Sequence, residues 1–533
     1  MNKYFAVFVL AAVISLAAGC GKAPVASTPS AAAAQPVRGG QAVVLLGAEF
    51  AGSWPAGLDP ATNFMGGGNI SMMNAIFGGL FQLTADDDGR NARVTGVLAE
   101  SYSVEDEGRS LVIHLRPDVV FSDGTPFDAE AVKFNIERDL STPCPCSPAS
   151  WPWADHDRVV ARDARTVLLN FSRPYAPAIN SLPGSNINWI VSPSSLQKMG
   201  EAQFKLAPVG AGPFKVVSDQ LSSKLALERN PTYWQQGRPY LDRLVFQSIG
   251  SEQAAFQALQ AGDAQVFEGM SSPVFIQQAR QDPSLTVTEH PATSSLVVQL
   301  NTATAPFNDL KAREAIYYAT DVDAIRRGVF DESYPHAQSF TSPGGLFYHA
   351  TVSRYRSYDL GKATQIVKSL GGLKLTLHAI KNFTNDRIIT ALQTQWQKAN
   401  IEVAIETIDL GTMLKKFSGK DWQAMLQTAG SYDPEVGSGL RTRFRADGVF
   451  SGVHDAQLDK LIAAGMSTFD PAARDAVYLQ ASEYISDNAY APFLVPFSPA
   501  TLSRGAFGPG LTTKIPPVQL TTAILWQDAW VAR

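Results

Sequence analysis

Cysteine is scarce, with three in 533 residues, too few to hold so long a fold together by disulfides. Neither sign of charge is in excess. Lysine and arginine total 44 against 49 aspartates and glutamates, a net charge of −5, so there is no basic stripe of the kind that suits nucleic acid. The seven histidines are dispersed, none three or four residues from another on a plausible helix, and no metal-ligand set emerges. GxSxG, HExxH, Walker A and paired CxxC motifs are all missing. These absences argue against an enzyme and against any cofactor or metal, although a triad assembled from distant residues would escape motif reading. No repeat of 20–50 residues is visible either.

What the chain does have is length and apolar content. At 45% hydrophobic and 17% charged, with 33 prolines and 41 glycines, it predicts two or more lobes. The first residues read as a targeting segment. Lys3 supplies the positive end, Tyr4 to Ala18 is an apolar run too short to span a bilayer comfortably, and small residues follow. Leu16-Ala17-Ala18-Gly19-Cys20 resembles a bacterial lipoprotein box, which implies a signal peptide over 1–19 and a lipid on Cys20. Residues 20–36 are small, polar or proline-containing and read as a flexible tether. Cys144 and Cys146 lie in the run PCPCSP. Outside the cytoplasm a disulfide is the default, yet a ring with one residue between its cysteines is strained, so a local disulfide and two free thiols both stay open. A soft-metal site is the least favoured, because two thiolates without clustered histidines seldom suffice.

Residues 111–138, LVIHLRPDVVFSDGTPFDAEAVKFNIER, organise the rest. Leu111, Ile113 and Leu115 alternate with Val112 and His114 as in a strand, and Ser122-Asp123-Gly124-Thr125 has turn residues. Asp128 can cap a helix whose seam is Val132, Ile136 and Leu140. The order of residues in this stretch closely resembles the signature of the peptide/nickel class, family 5, of solute-binding proteins that serve ABC importers. Further matches follow the chain: Leu58-Asp59-Pro60, Gly210-Ala211-Gly212-Pro213-Phe214, Arg229-Asn230-Pro231-Thr232-Tyr233-Trp234 and Pro306-Phe307-Asn308-Asp309.

The resemblance implies an α/β, two-lobed periplasmic-binding-protein-like fold, with an extra subdomain in lobe I and a hinge between the lobes. Lobe I is expected to take residues 37–295 plus 497–533, and lobe II residues 296–496. Within lobe II, Leu373–Ala379, Asn385–Ala399 and Ile401–Ile408 read as a right-handed βαβ unit, and Ala491–Phe497 as the stretch that returns the chain toward lobe I.

Ligand residues are expected from four places. Phe64 and Met65 precede a three-glycine loop whose backbone can approach a ligand or simply connect. Trp151 and Trp153 either pack under a lobe or wall a pocket. Asn188 and Trp189 fall where the nickel-binding branch supplies an arginine, or else belong to a capped strand. Ser431, Tyr432 and Asp433 stand in the family's acidic loop. Peptide binders in this class place an aspartate a few residues before its Asp-Pro pair, where this chain has Gly430 or Ser431, so a peptide ligand is not assured. Arg441, Arg443 and Arg445 are spaced to project on one side of an extended segment, as a carboxylate clamp or as a solvated rim.

The expected partners are a small-molecule or peptide ligand, an ABC permease with its ATPase subunits, and a membrane reached through the lipid anchor. The chain is expected to act as a monomer on the periplasmic or extracellular face of a bacterial envelope. A binder of a metal chelate, or an envelope lipoprotein that handles unfolded chains or senses peptides, remains the alternative.

Overall fold

The helix that follows the signature strand shows how local chemistry sets these elements. In the computed structural model it runs Ala129–Ser141, and Asp128 caps it by accepting from the Ala131 amide at 2.9 Å. Val132 and Ile136 are fully buried. The strand itself, Ser110–Leu115, lies between Ala99–Glu105 and Thr166–Phe171, with Ala154–Asp163 completing a four-stranded antiparallel sheet. Val112 is as buried as Leu111 and Ile113, so the second face of this interior strand is covered too, where alternation alone predicts an open one. The structure describes residues 35–47, 54, 56–63, 69–85, 92–142, 154–429, 435–515 and 524–532.

Two larger sheets carry the rest. One has seven strands in the order Thr286–Thr288, Ala500–Ser503, Val266–Met270, Gln41–Gly47, Arg243–Ile249, Lys224–Arg229, Phe214–Gln220. Its centre is parallel, since Gln41–Gly47 runs with both Arg243–Ile249 and Val266–Met270. The other has five strands in the order Ile401–Ile408, Leu373–Ile380, Ala424–Thr428, Ser295–Leu300, Phe493–Pro496. Leu373–Ile380 and Ile401–Ile408 are parallel and joined by helix Phe383–Lys398, the βαβ unit expected from its apolar seam of Ile388, Leu392 and Trp396, all buried. Residues 491–497 behave differently from expectation. Phe493–Pro496 pairs with Ser295–Leu300 inside the five-stranded sheet, and the chain rejoins the seven-stranded sheet only at Ala500.

The chain therefore passes between the large sheets twice, over 289–294 and over 497–499. The crossings lie side by side: the Phe497 amide donates to the Ser294 carbonyl at 3.2 Å, and His290 Nε2 sits 3.1 Å from Thr501 Oγ1. Burial, helped by nearby Lys514, pushes His290 down to about 4. In the unfolded chain it takes a proton near pH 6.5, so stability is full above that value and is lost as pH falls toward 4. The loss amounts to about 3 kcal/mol. Urea unfolding at pH 7 and pH 4.5 is expected to show this acid loss in the wild type and much less of it in His290→Gln. Equal losses in the two proteins would remove His290 from the account.

Residues 37–533 pack as one unit, and three contacts show why. The apolar core under the four-stranded sheet, with Ile113 and Val167, runs on into Leu440, Phe444, Met466 and Tyr478 from the helices Val436–Phe444, Ala456–Ser467 and Pro471–Asp487. The Ala176 amide donates to the Met466 carbonyl at 2.8 Å. The Phe469 ring fills the space that a side chain on Gly108 would need.

Candidate functional site

The three parallel strands of the seven-stranded sheet end together at Gly47, Ile249 and Met270. Ligands of open α/β sheets gather beyond such carboxyl ends. Across from them stands Asn382, just after Leu373–Ile380, the middle of three parallel strands in the other sheet. Its side chain caps helix Phe383–Lys398 by accepting from the Asn385 amide at 2.7 Å. Between these groups lies a cavity of about 450 Å³, walled by Gly47, Ile249–Gln253, Phe267–Gly269, Ser271, Ser272, Val274 and Phe275 on one side. Asn382–Thr384 close the other side, with Pro499 from the second crossing. The volume falls within the range typical of small-molecule pockets.

The polar groups in this wall are few and placed. Glu252 opens helix Glu252–Ala261, which Ser251 caps. Its Oε1 accepts from Ser271 N at 2.7 Å and Ser271 Oγ at 2.6 Å, and its Oε2 accepts from Ser272 N at 3.0 Å. Pinned in this way, Ser271 Oγ reaches Thr384 Oγ1 at 2.7 Å across the cavity. Glu268 is 2% exposed. Ser71 Oγ donates to its Oε2 at 3.0 Å, and its Oε1 has no hydrogen-bond partner among the described residues. Burial pushes its carboxyl up to about 8, the Ser71 hydroxyl opposing only in part.

A second polar cluster joins the described segments that precede and follow residues 64–68 in the chain. Asn186 Nδ2 donates to the carbonyls of Pro60 and Asn63 at 2.6 and 2.7 Å, and Asn69 Nδ2 reaches Asn63 Oδ1 at 3.4 Å. Phe64 and Met65, which this cluster brackets in sequence, lie outside the described residues, as do Trp151, Trp153, Ser431, Tyr432, Asp433, Cys20, Cys144 and Cys146. Asn188 and Trp189 lie within them, both without solvent exposure. The Asn188 amide accepts from Phe81 N and donates to Phe81 O, each at 2.9 Å, and Trp189 Nε1 donates to Asn74 Oδ1 at 2.9 Å. Residues 186–188 form a 3₁₀ turn, not the strand expected. In this conformation Trp189 lies in the core against the seven-stranded sheet while Asn188 braces Phe81, and neither walls the cavity.

The three arginines also differ from the extended clamp. Helix Val436–Phe444 carries Arg441 and Arg443 in its last turn, where a spacing of two turns side chains to different faces. The helix forms because Glu435 caps it and Leu440 and Phe444 anchor it in the core. Arg443 is buried over the Phe450 ring, 5.0 Å from its centroid, and donates to Gln427, whose amide in turn donates to Gln299. Arg445 Nε meets Asp447 at 3.1 Å, and Arg441 approaches the same carboxylate at 3.6 Å. They form no solvated rim: Arg441 and Arg445 are largely covered.

Glu435 marks the end of the acidic-loop segment. Fully buried, it pairs with Arg474 of helix Pro471–Asp487 and accepts from Asn180 Nδ2 at 3.2 Å. Sequence reading missed Glu268, Ser271, Asn382 and Thr384. For Glu268 a signal was available, because an acid between Phe267 and the apolar end of a buried strand needs a reason. Among the described residues no helix is long and apolar enough to cross a membrane, and no group of three or more potential ligands could hold a metal.

Comparison with known proteins bears on this geometry. The family model "Bacterial extracellular solute-binding proteins, family 5 Middle" matches residues 93–450. Glutathione-binding protein GsiB of Shigella dysenteriae is 26% identical over 444 residues, covering 80% of this chain and 84% of the relative. The Escherichia coli K12 protein of the same name is also 26% identical over 444 residues, with the same coverage. Among solved structures, the binding protein AgaA of A. tumefaciens R10, in complex with agropinic acid, superposes with a TM-score of 0.80 at 21% identity. It covers 93% of this chain and 99% of its own. The periplasmic binding protein DppA of Helicobacter pylori, in complex with the peptide STSA, gives the same TM-score, identity and coverage. These are two-lobed periplasmic binding proteins, and relatives of this kind bind peptides or small solutes for ABC import outside the cytoplasm. By a family match across the signature strand, the βαβ unit and the arginine helix, the chain belongs to family 5 of the bacterial extracellular solute-binding proteins.

Proposed function

We propose that this chain captures a peptide-like or other small polar solute between its lobes and delivers it, chemically unchanged, to an ABC permease. One observation carries the reading: a single cavity is walled by the strand ends of both large sheets, including Glu252 and Ser271 on one side and Asn382 and Thr384 on the other. A solute seated there touches both lobes at once, and so favours the closed form by its differential affinity. Lobe I is read as 37–295 with 497–533 and lobe II as 296–496, turning about the paired crossings. Lipidation of Cys20 would keep the protein at a membrane surface as a monomer; Cys20→Ala is expected to release it into the soluble fraction.

Thermal-shift screening against peptides, metal chelates and small organic acids tests the reading. A ligand present at 100 times its Kd adds about 2.7 kcal/mol to folding stability, and X-ray scattering on the same sample should show a more compact particle. Failure of every solute class to move either quantity overturns the reading. The Ser271–Thr384 bond gives a finer check. Thr384→Val removes about 1 kcal/mol from the closed state, so the Kd of whichever ligand is found should rise roughly fivefold. An unchanged Kd would mean that the bond does not contribute to closure.

A further inference from the structure

We propose that the cavity beyond Gly47, Ile249 and Met270 selects a solute bearing a protonated nitrogen, an amine or guanidinium, with Glu268 as its counter-ion. The proposal rests on the binding-protein reading above and names the ligand chemistry of that site.

The wall's charged side chains are Glu252 and Glu268, with no lysine or arginine among its described residues. Glu252 is already occupied by three donors from Ser271 and Ser272. Glu268 is not: one oxygen takes the Ser71 hydroxyl, and the other, inside the protein, takes nothing from the described residues. A buried acceptor left open costs stability unless a ligand completes it. Among the described residues the elements packed against it present no countercharge; His290, which meets Thr501 Oγ1 at 3.1 Å, is held neutral at pH 7 by burial. Its register neighbours are Leu46 and Thr501, its hydrogen-bond donor is Ser71, and the other ionisable group of the wall is the acidic Glu252. Phe275, stacked on Phe256 with ring centres 5.3 Å apart, and Phe383, whose ring carries the Arg387 guanidinium at 5.5 Å, add apolar wall. A carboxylate in such a place recruits positive charge, and an anionic solute would meet two acids.

Burial without a cation keeps the Glu268 proton on until about pH 8. Binding therefore exchanges one positive charge for another. The solute's N–H⁺ group enters intact, the Glu268 O–H bond breaks, and the proton leaves to buffer. Affinity for a cation should rise with pH through the Glu268 titration, roughly fifty-fold between pH 6 and pH 8 for a group that titrates near 8, and then level off. If neutral Glu268 instead donated its proton to a carbonyl or carboxylate of the solute, affinity would fall above pH 8.

The test uses the full-length mature chain and calorimetric titration with three matched probes: the tripeptide Gly-Arg-Gly, its citrulline counterpart, and its glutamate counterpart, each with free and with acetylated amino terminus. The expected result is tightest binding by a probe carrying a cation, with affinity rising from pH 6 to pH 8. Close to one proton should be released at pH 7, read from buffers of different ionisation enthalpy. Glu268→Gln should weaken that probe at least tenfold and flatten the pH profile. The wild-type proton count keeps the test decisive should the variant fold poorly. Tight binding of the acetylated glutamate or acetylated citrulline probe, or affinity falling with pH, overturns the charge assignment and leaves the binding-protein reading standing. Binding of no probe and of no solute in the wider screen overturns both.

Discussion

Arg138→Met is expected to cost about 3–5 kcal/mol of folding stability, measured by urea unfolding at pH 7. Arg138 grips Asp59 with both ends of its guanidinium, Nη1 to Oδ1 at 2.8 Å and Nη2 to Oδ2 at 2.5 Å. Asp59 is 1% exposed, and the neighbouring Asp139 is equally buried, with no hydrogen bond to either oxygen among the described residues. Burial first, and the Asp59 charge second, hold the Asp139 carboxyl well above the usual carboxylate range. Arg138 is thus the cation in a dry site with two acids. Methionine keeps the apolar stem and removes the guanidinium, which leaves Asp59 buried with the Ala61 amide as the remaining donor to its side chain among the described residues. Adding Asp59→Leu in the same chain should recover much of the loss, because a buried pair replaced by apolar groups is often neutral. A single-variant loss under 1 kcal/mol would show the pair to be solvated. The pair also joins two sequence motifs 79 positions apart, the Leu-Asp-Pro turn and the end of the signature helix.

Arg474→Met is expected to have an effect of the same size, about 3–5 kcal/mol, for a related reason. It strips the cation from Glu435, which is fully buried and retains the neutral donors Asn180 and Gly437. Lysine should not rescue it. The guanidinium carbon lies 5.1 Å from the Phe347 ring centre and 5.6 Å from that of Tyr478, and a compact ammonium cannot fill that flat slot while it reaches Glu435. Glu435 ties helix Val436–Phe444 to helix Pro471–Asp487 and to Asn180, on the short helix Ala178–Ser181 whose Ala178 lies in the core under the four-stranded sheet. Loss of Arg474 should therefore also raise hydrogen exchange at Asn180 and Gly437 ahead of global unfolding. Exchange unchanged at both amides, with stability intact, would contradict this.

Where structure follows from nearest neighbours, the sequence was a sound guide. The helix after Asp128 and the one between Ser251 and Gly262 stop and start at the residues whose caps require it. The βαβ unit follows from a seam of Ile388, Leu392 and Trp396 between two strands of alternating apolar residues. Readings failed where distant chain decides. Arg441, Arg443 and Arg445 alternate as a strand would, yet Leu440 and Phe444 have a core to enter and pull the segment into a helix. Residues 491–497 look like a return path, but Ser295–Leu300 offers them an open edge. The candidate site was the least legible part. Its walls come from segments more than 100 residues apart, and only a fold places Ser271 opposite Thr384.

The side-by-side crossings carry a consequence for how such a chain can be taken apart. Everything from Ser295 to Pro496 departs from its host and comes back at nearly one point, since the Phe497 amide touches the Ser294 carbonyl. Both ends of that junction are buried, Ser294 and Phe497 alike. A short peptide bridge would span the gap after excision, yet the host would lose Leu440, Phe444, Met466 and Tyr478 from the core they share with Ile113 and Val167, so neither half can be exchanged without new apolar cover for the other.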